Sequence, residues 1–242
     1  MKAIILAAGV SRRLYPLTID TPKSLLDVGG RPMLSYALDT FQEEGITDVA
    51  IVLGYYREKF IDYLEKNYPG MNFQYIINHH HFETNTAFSL YLCRNELNVS
   101  NYILLNADLL FPRQLLKRLL ESEISNVLAV EKKVCGNEEV KVIEGAENRI
   151  VAIGKELIQE NALGEFLGIA KFDHHFMVKF IGSLSKLIDA GGKADYFEAA
   201  IHPILADEPV HYIDCSDLPC IEIDFNEDLN NAREMVKSKW YV

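Results

Sequence analysis

Lys2-Ala3-Ile4-Ile5-Leu6-Ala7 runs without a break into Ala8-Gly9-Val10-Ser11-Arg12-Arg13-Leu14-Tyr15-Pro16-Leu17-Thr18, and Thr21-Pro22-Lys23 follows. The first six residues form a short, nearly continuous apolar segment that stops at a glycine-bearing loop, the pattern of a parallel strand buried on both faces. Small residues at 7 to 9 let the backbone approach a ligand closely, and Gly9 is free to take positive φ. A loop leaving a strand in this way can turn its N–H groups toward a triphosphate, with Leu6, Ala7, Ala8 and Gly9 as the nucleotide-facing stretch. Arg13 and Lys23 then supply positive charge where a leaving pyrophosphate develops negative charge. Taken singly, these positions describe an ordinary strand-to-helix loop with solvated basic residues. Their combination over residues 6–23 does not.

Outward from this loop, apolar strands and helical patterns alternate. Pro32 opens a helix through about Glu44, with Met33, Tyr36, Ala37 and Phe41 at helical spacing. Asp48–Leu53 is predicted as a strand, Glu58–Asn67 as a helix and Phe73–Ile77 as a strand. Asn85–Leu97 follows as a helix, Tyr102–Leu105 as a strand, Pro112–Glu121 as a helix and Val127–Val130 as a strand. This rhythm with short connections predicts a Rossmann-like α/β fold, a doubly wound and mostly parallel sheet. Ligands of such sheets sit beyond the carboxyl ends of the strands. The unusual loops at Ala8–Lys23 and Asn106–Phe111 both follow strands.

The rhythm changes after about residue 131. Val140–Ile143 and Ile150–Ile153, joined by the polar turn Glu144–Arg149, read as a β-hairpin, and Phe166–Phe172 as a further strand. Phe176–Ala190 and Tyr196–Ala206 read as helices, Val210–Ile213 and Ile221–Ile223 as late strands. Asn226–Lys239 reads as a closing helix with Asn226 at its N-cap. The expected organisation is one domain over 1–242. Its nucleotide-binding part comprises about 1–131 and 207–242, and an inserted hairpin and helical region over about 132–206 binds the acceptor.

The chain carries 35 acidic against 24 basic residues, a formal net charge of −11. That field disfavours nucleic acid and anionic membrane surfaces as partners. A site for polyanions must therefore reverse it locally with clustered cations. The four cysteines, Cys93, Cys135, Cys215 and Cys220, are scattered, with no matching Cys/His pair to complete a zinc site. Free thiols in a reducing cytoplasm are expected. No apolar run is long enough for a membrane span, so a soluble protein is expected. No feature decides whether it forms a homodimer.

The pattern L-A-A-G-x-x-x-R-L-x-P-L-T-x-x-x-P-K resembles the signature of the sugar-phosphate nucleotidyltransferase family, and Leu25-Leu26-Asp27-Val28-Gly29-Gly30-Arg31-Pro32-Met33-Leu34 resembles its following segment. The likeness is specific over the first 34 residues and looser beyond. Many members carry a second glycine where this chain has Ser11. The resemblance implies a nucleotide-diphospho-sugar transferase-like fold and a Mg²⁺-dependent transfer of a nucleoside monophosphate from NTP to a small phosphorylated acceptor.

Within Tyr102-Ile103-Leu104-Leu105-Asn106-Ala107-Asp108, Asn106 is assigned to the nucleotide. Asp108, just past a strand end, suits a Mg²⁺ ion, which takes a few carboxylates plus phosphate oxygens and water. Asp108 matches the family's metal-binding Asp, and Asp224 resembles its second ligand. Glu222 and Asp224 alternate with apolar residues, so they are expected on one face of a strand, with Glu222 toward the acceptor. Distant carboxylates are expected to meet only if this late strand joins the same sheet as Tyr102–Leu105.

The segment Asn78–Leu92 contains His79, His80 and His81, which as neighbours on a regular strand do not all face one ion. It reads instead as a loop entering a helix whose polar N-terminus approaches base or ribose. Its Asn-x-x-x-Ser-Leu run, carrying Asn85 and Ser89, resembles the phosphocholine cytidylyltransferase branch, where the segment lies over the pyrimidine. Lys141 and Lys155 are candidates for the acceptor phosphate, and Glu165 resembles a family segment that contacts the acceptor. Tyr196 and Glu198, near Asp195 and Phe197, suit a cationic head group.

CTP with phosphocholine or a related phospho-alcohol or phosphonate is the favoured substrate pair. Sugar 1-phosphate with UTP or dTTP is the alternative. A non-catalytic, nucleotide-sensing relative is a third reading, opposed by the presence of Lys23, Asp108 and Asp224 together.

Overall fold

The computed structural model describes residues 1–241. Strand β1 (Lys2–Ala7) is buried at every position, and successive side chains enter opposite cores. Ala3, Ile5 and Ala7 belong to one hydrophobic cluster, Ile4 and Leu6 to the other. This two-residue alternation between two dry faces is why the segment is apolar without interruption.

In chain order the elements after β1 are α1 (Met33–Glu43), β2 (Asp48–Leu53), α2 (Arg57–Asn67), β3 (Asn72–Ile77), α3 (Thr86–Leu92) and β4 (Asn101–Asn106). Then come β5 (Leu109–Leu110), α4 (Arg113–Glu121), β6 (Val127–Glu131), β7 (Lys141–Glu144), β8 (Ile150–Gly154) and β9 (Gly164–Asp173). The chain closes with α5 (His174–Asp189), α6 (Glu198–Ile201), β10 (His211–Asp214), β11 (Ile221–Glu222) and α7 (Asn226–Met235).

The main sheet runs β10-β6-β9-β4-β1-β2-β3, with the β7–β8 hairpin attached at β9. β1 pairs parallel with β2 and β4, and β2 with β3; β9 alone runs against both its neighbours on this path, β4 and β6. Helices α1, α2 and α4 cover one face, and α3, α5 and α6 the other. The expected doubly wound, mostly parallel sheet is observed. No helix among the described residues is long and apolar enough to cross a membrane. All four cysteines are free.

Several boundaries differ from expectation, for local reasons. The helix expected over Asn85–Leu97 is α-helical only to Leu92, and Cys93–Glu96 continues it as a 3₁₀ turn. The helix expected over Tyr196–Ala206 is α-helical only over Glu198–Ile201 before a 3₁₀ turn at His202–Ile204, where Pro203 lacks an N–H donor. The last helix stops at Met235 rather than Lys239, and Asn226 is not its N-cap. The Asp228 carboxylate instead reaches back to accept from the backbone N–H groups of Asp224 (3.0 Å) and Phe225 (2.7 Å).

The main correction concerns the late strand. It does not join the large sheet; Glu222 pairs with Leu109 and Ile221 with Leu110, in a separate two-stranded antiparallel ribbon. The Ile223 N–H then donates to the Asp108 carbonyl at 3.0 Å. A third hydrophobic cluster holds this ribbon against the first loop, with Leu14 and Leu26 meeting Leu110, Ile223 and Leu229. Leu14 is fully buried, and burying such a side chain contributes about 1.5–3 kcal/mol. The acidic ribbon and the basic loop are thus joined through their apolar neighbours.

Candidate active site

Beyond the carboxyl ends of β1 and β4 lies a cavity of about 360 Å³. Leu6, Ala7, Ala8, Gly9, Arg13 and Lys23 line it from the first loop and the strand before it. Asn85 and Ser89 line it from α3, Asn106 and Asp108 from the end of β4, and Glu222 and Asp224 from the acidic ribbon. Lys155, Tyr196 and Glu198 line the side nearest the inserted region.

Two expected acceptor residues are not among these. Lys141 is 1% exposed, and its ammonium donates to the main-chain carbonyls of Glu139 and Lys155. Glu165 is held 2.6 Å from the Lys133 ammonium. Val140, which immediately precedes β7, and Phe166, next to Glu165 on β9, line the cavity instead. The one-residue alternation of extended chain puts neighbours on opposite faces, so Val140 and Phe166 take the cavity side in place of Lys141 and Glu165.

Carboxylate oxygens of Asp108, Glu222 and Asp224 all lie within 4.8 Å of one another. Lys23 Nζ bridges two of these groups, at 2.8 Å from Asp108 Oδ2 and 2.9 Å from Asp224 Oδ1. Arg13 reaches Asp224 Oδ2 at 2.9 Å, and its guanidinium lies 5.2 Å from the centre of the Phe225 ring. Burial alone would lower the Lys23 ammonium, but the charges of Asp108 and Asp224 more than reverse it and raise its pKa. The Asp224 carboxyl, which burial would raise, is held below the usual range by Lys23 and then Arg13. Glu222 is driven upward by loss of water around its carboxyl and by the Asp108 and Asp224 charges, although the residue keeps contact with solvent.

The donor set suits a hard divalent cation, since it is all oxygen and carries excess negative charge. Asp108 Oδ1 is buried with no hydrogen-bond partner, as is Asn106 Oδ1 two residues earlier. A buried carboxylate oxygen without a donor is costly, and a cation relieves that cost.

The first loop departs from expectation at one position. Gly9 does not take positive φ; Ser11 does, at φ 54° and ψ 48°. Its carbonyl accepts from Leu14 N–H and from Thr18 Oγ1, so the left-handed residue closes the turn that carries Arg12 and Arg13.

On the other side of the cavity Glu198 is 3% exposed and its Oε2 has no partner. Burial pushes its carboxyl up to about 7, opposed in part by the Lys155 charge. Lys155 Nζ lies 4.5 Å from the centre of the Tyr196 ring. The helix α3 reaches this side too, because Thr86 Oγ1 accepts from Phe197 N–H at 3.0 Å.

The family model for nucleotidyl transferases matches residues 2–142. The chain belongs to the nucleotidyl transferase family. It is 28% identical to the choline-phosphate cytidylyltransferase of Streptococcus pneumoniae (strain ATCC BAA-255 / R6), over 99% of this chain and 100% of that protein. It is 25% identical to the CTP:phosphoglutamine cytidylyltransferase of Campylobacter jejuni, over 75% of this chain and 76% of that one. Among solved structures it resembles the CTP:phosphocholine cytidylyltransferase from Streptococcus pneumoniae with a TM-score of 0.79 at 27% identity, covering 97% of this chain and 98% of that one.

The family match contains the first loop and Asp108 but stops before Lys155, Glu198 and Asp224. For Lys155 and Glu198, the cavity itself is the basis for a role. Sequence reasoning did not select Asn78, His81, Thr84 or Phe166, which also line it. Asn78 immediately follows β3 and is 1% exposed, a buried polar residue whose signal was obscured by the histidines after it.

Proposed function

We propose that the chain transfers CMP from CTP to a small phosphorylated acceptor carrying an amine or quaternary ammonium group, such as phosphocholine, and releases pyrophosphate. The observation that carries this reading is the convergence of Asp108, Glu222 and Asp224 on Lys23 beside the first loop. The names of the two cytidylyltransferase relatives favour CTP and an acceptor of this class.

Asp108 and Asp224 would hold Mg²⁺, with Glu222 within reach; the ion would supply charge neutralisation and orientation for the triphosphate oxygens. Lys23 and Arg13, displaced from the carboxylates, bind the β- and γ-phosphates and stabilise the departing pyrophosphate. The backbone of Ala7–Gly9 cradles the nucleotide, with Asn85, Ser89 and Asn106 around it. An acceptor phosphate oxygen attacks the α-phosphorus in line, the bond to the bridging oxygen breaks, and pyrophosphate leaves. No enzyme nucleophile is needed, because the acceptor oxygen is already anionic; positioning and electrostatics do the work.

Lys155 orients the acceptor phosphate, while Glu198 and the Tyr196 ring hold its cationic end. In this reading the nucleotide occupies the part built from about 1–131 and 207–242, and the acceptor the part from about 132–206. Pyrophosphate release measured for four NTPs against phosphocholine, 2-aminoethylphosphonate and glucose 1-phosphate tests it. Turnover only with UTP or dTTP and the sugar phosphate would replace it with the sugar-nucleotide alternative.

A further inference from the structure

We propose that His81 selects the nucleobase by accepting, at Nε2, a hydrogen bond from the exocyclic amine of an amino-bearing base; this rests on the nucleotidyl-transfer reading above. His81 Nδ1 lies 3.0 Å from the Asn78 carbonyl oxygen. A carbonyl only accepts, so Nδ1 carries a proton, and the tautomer this selects has Nε2 as its acceptor. His81 lines the cavity, and Nε2 is buried without any partner in the protein. An acceptor in that state lacks a donor that a ligand can bring.

The ring is held in place from several directions. An added Cβ at Gly54 would lie 2.6 Å from both the Ala8 carbonyl oxygen and His81 Cβ, so only glycine at 54 lets the histidine and the first loop come this close. The Phe82 and Tyr55 rings lie 4.3 and 6.3 Å from the imidazole centre. Asn78 cannot turn to serve Nε2. Its amide nitrogen donates to Thr84 Oγ1 (3.0 Å) and Ser89 Oγ (3.2 Å), and its oxygen accepts from His80 N–H (2.9 Å).

Cytosine and adenine present an amine at this edge, whereas uracil and hypoxanthine present a carbonyl oxygen. Two acceptors facing each other repel, so His81 favours the amino member of each pair.

Calorimetric binding of CTP against UTP, and of ATP against ITP, with MgCl₂ and no acceptor, tests this on the wild type, His81→Phe and His81→Gln. The expected result is that His81→Phe loses about 10-fold of the preference for the amino base. His81→Gln, whose amide oxygen still accepts, retains more of it. If CTP binds and its margin over UTP survives His81→Phe, the inference falls and the cytidylyl reading stands. If ATP is the nucleotide bound and His81→Phe erases its margin over ITP, the inference stands and the cytidylyl reading falls. A wild type that prefers the oxo bases ends both. Should His81→Phe fail to fold, the ¹⁵N resonance of His81 Nε2 in the unaltered protein decides: it moves with CTP and not UTP, and no movement with CTP overturns the inference.

Discussion

The Lys23 ammonium lies 2.8 Å from the Asp108 carboxylate, and the same nitrogen is 2.9 Å from Asp224. One cation from the first loop therefore sits where the proposed metal ligands converge. Lys23 stabilises this carboxylate cluster, and in the proposed mechanism it competes with the Mg²⁺ ion for it.

Replacing Lys23 by Met exposes that competition. Breaking a buried ion pair from one side costs about 3–5 kcal/mol, because a buried charge is left uncompensated. Lys23→Met should therefore lower the melting temperature without Mg²⁺ and gain more from added Mg²⁺ than the wild type does. Thermal melts across a Mg²⁺ series check it. Equal gains in both proteins would show that Lys23 and the ion do not share a site.

Asp108→Ala should abolish pyrophosphate release while the fold persists, since Lys23 keeps Asp224 as a partner. The loss expected is at least about 10²–10³-fold in kcat, the scale of losing one well-placed electrostatic contact to the transition state. Circular dichroism tracks the fold and a pyrophosphate assay the rate. Near-normal turnover at saturating Mg²⁺ would remove Asp108 from the metal site.

Glu198 makes stability depend on pH. Its carboxyl rises from 4.5 to about 7 on folding, so the folded chain keeps a proton that the unfolded chain has lost. Stability should fall as pH rises through this window and level off above it. Glu198→Gln should flatten that slope and gain about 3 kcal/mol near pH 8, at the cost of a higher KM for a cationic acceptor. Urea unfolding at pH 4.5 and pH 8 measures the slope, and parallel behaviour of both proteins would contradict it.

Ser11 holds a left-handed conformation that glycine adopts without a Cβ penalty. Ser11→Gly should leave the loop intact and change stability by no more than about 1 kcal/mol, with the relieved strain offsetting the extra chain entropy. Ser11→Val, β-branched at positive φ, should destabilise by about 1–2 kcal/mol and depress turnover. Chemical unfolding of the three proteins compares them. A Val variant as stable and active as wild type would mean that the turn at Ser11 does not position Arg13.

The alternation of apolar strands and helical periods through Val130 was enough to read the doubly wound sheet, because burial on two faces leaves a pattern in the chain itself. The first loop was legible in its small residues followed by Arg13 and Lys23, and the family resemblance carried by that loop is what singled out Asp108 and Asp224. Lys141 and Glu165 were expected at the acceptor and do not line the cavity; a charged residue within a strand gives no sign of which face it occupies until the register is fixed. Pairing of Lys141 with Gly154 and Glu165 sets that register. His81 was obscure because its value lies in a nitrogen left without a partner, which is a property of surroundings.

The amino-acid sequence by itself determined the layered sheet, the basic loop and the acids available to it, since local patterning and residue chemistry act over short stretches. Only the tertiary structure decided that β11 pairs with β5 in a ribbon of its own, that Lys23 bridges Asp108 and Asp224, and that Glu198 lies in the dark of the cavity. The ribbon and the Lys23 bridge depend on apolar contacts among Leu14, Leu110 and Ile223, and the burial of Glu198 on those around Phe197, Ala200 and Ile201; long-range packing of this kind leaves no period in the sequence to be read.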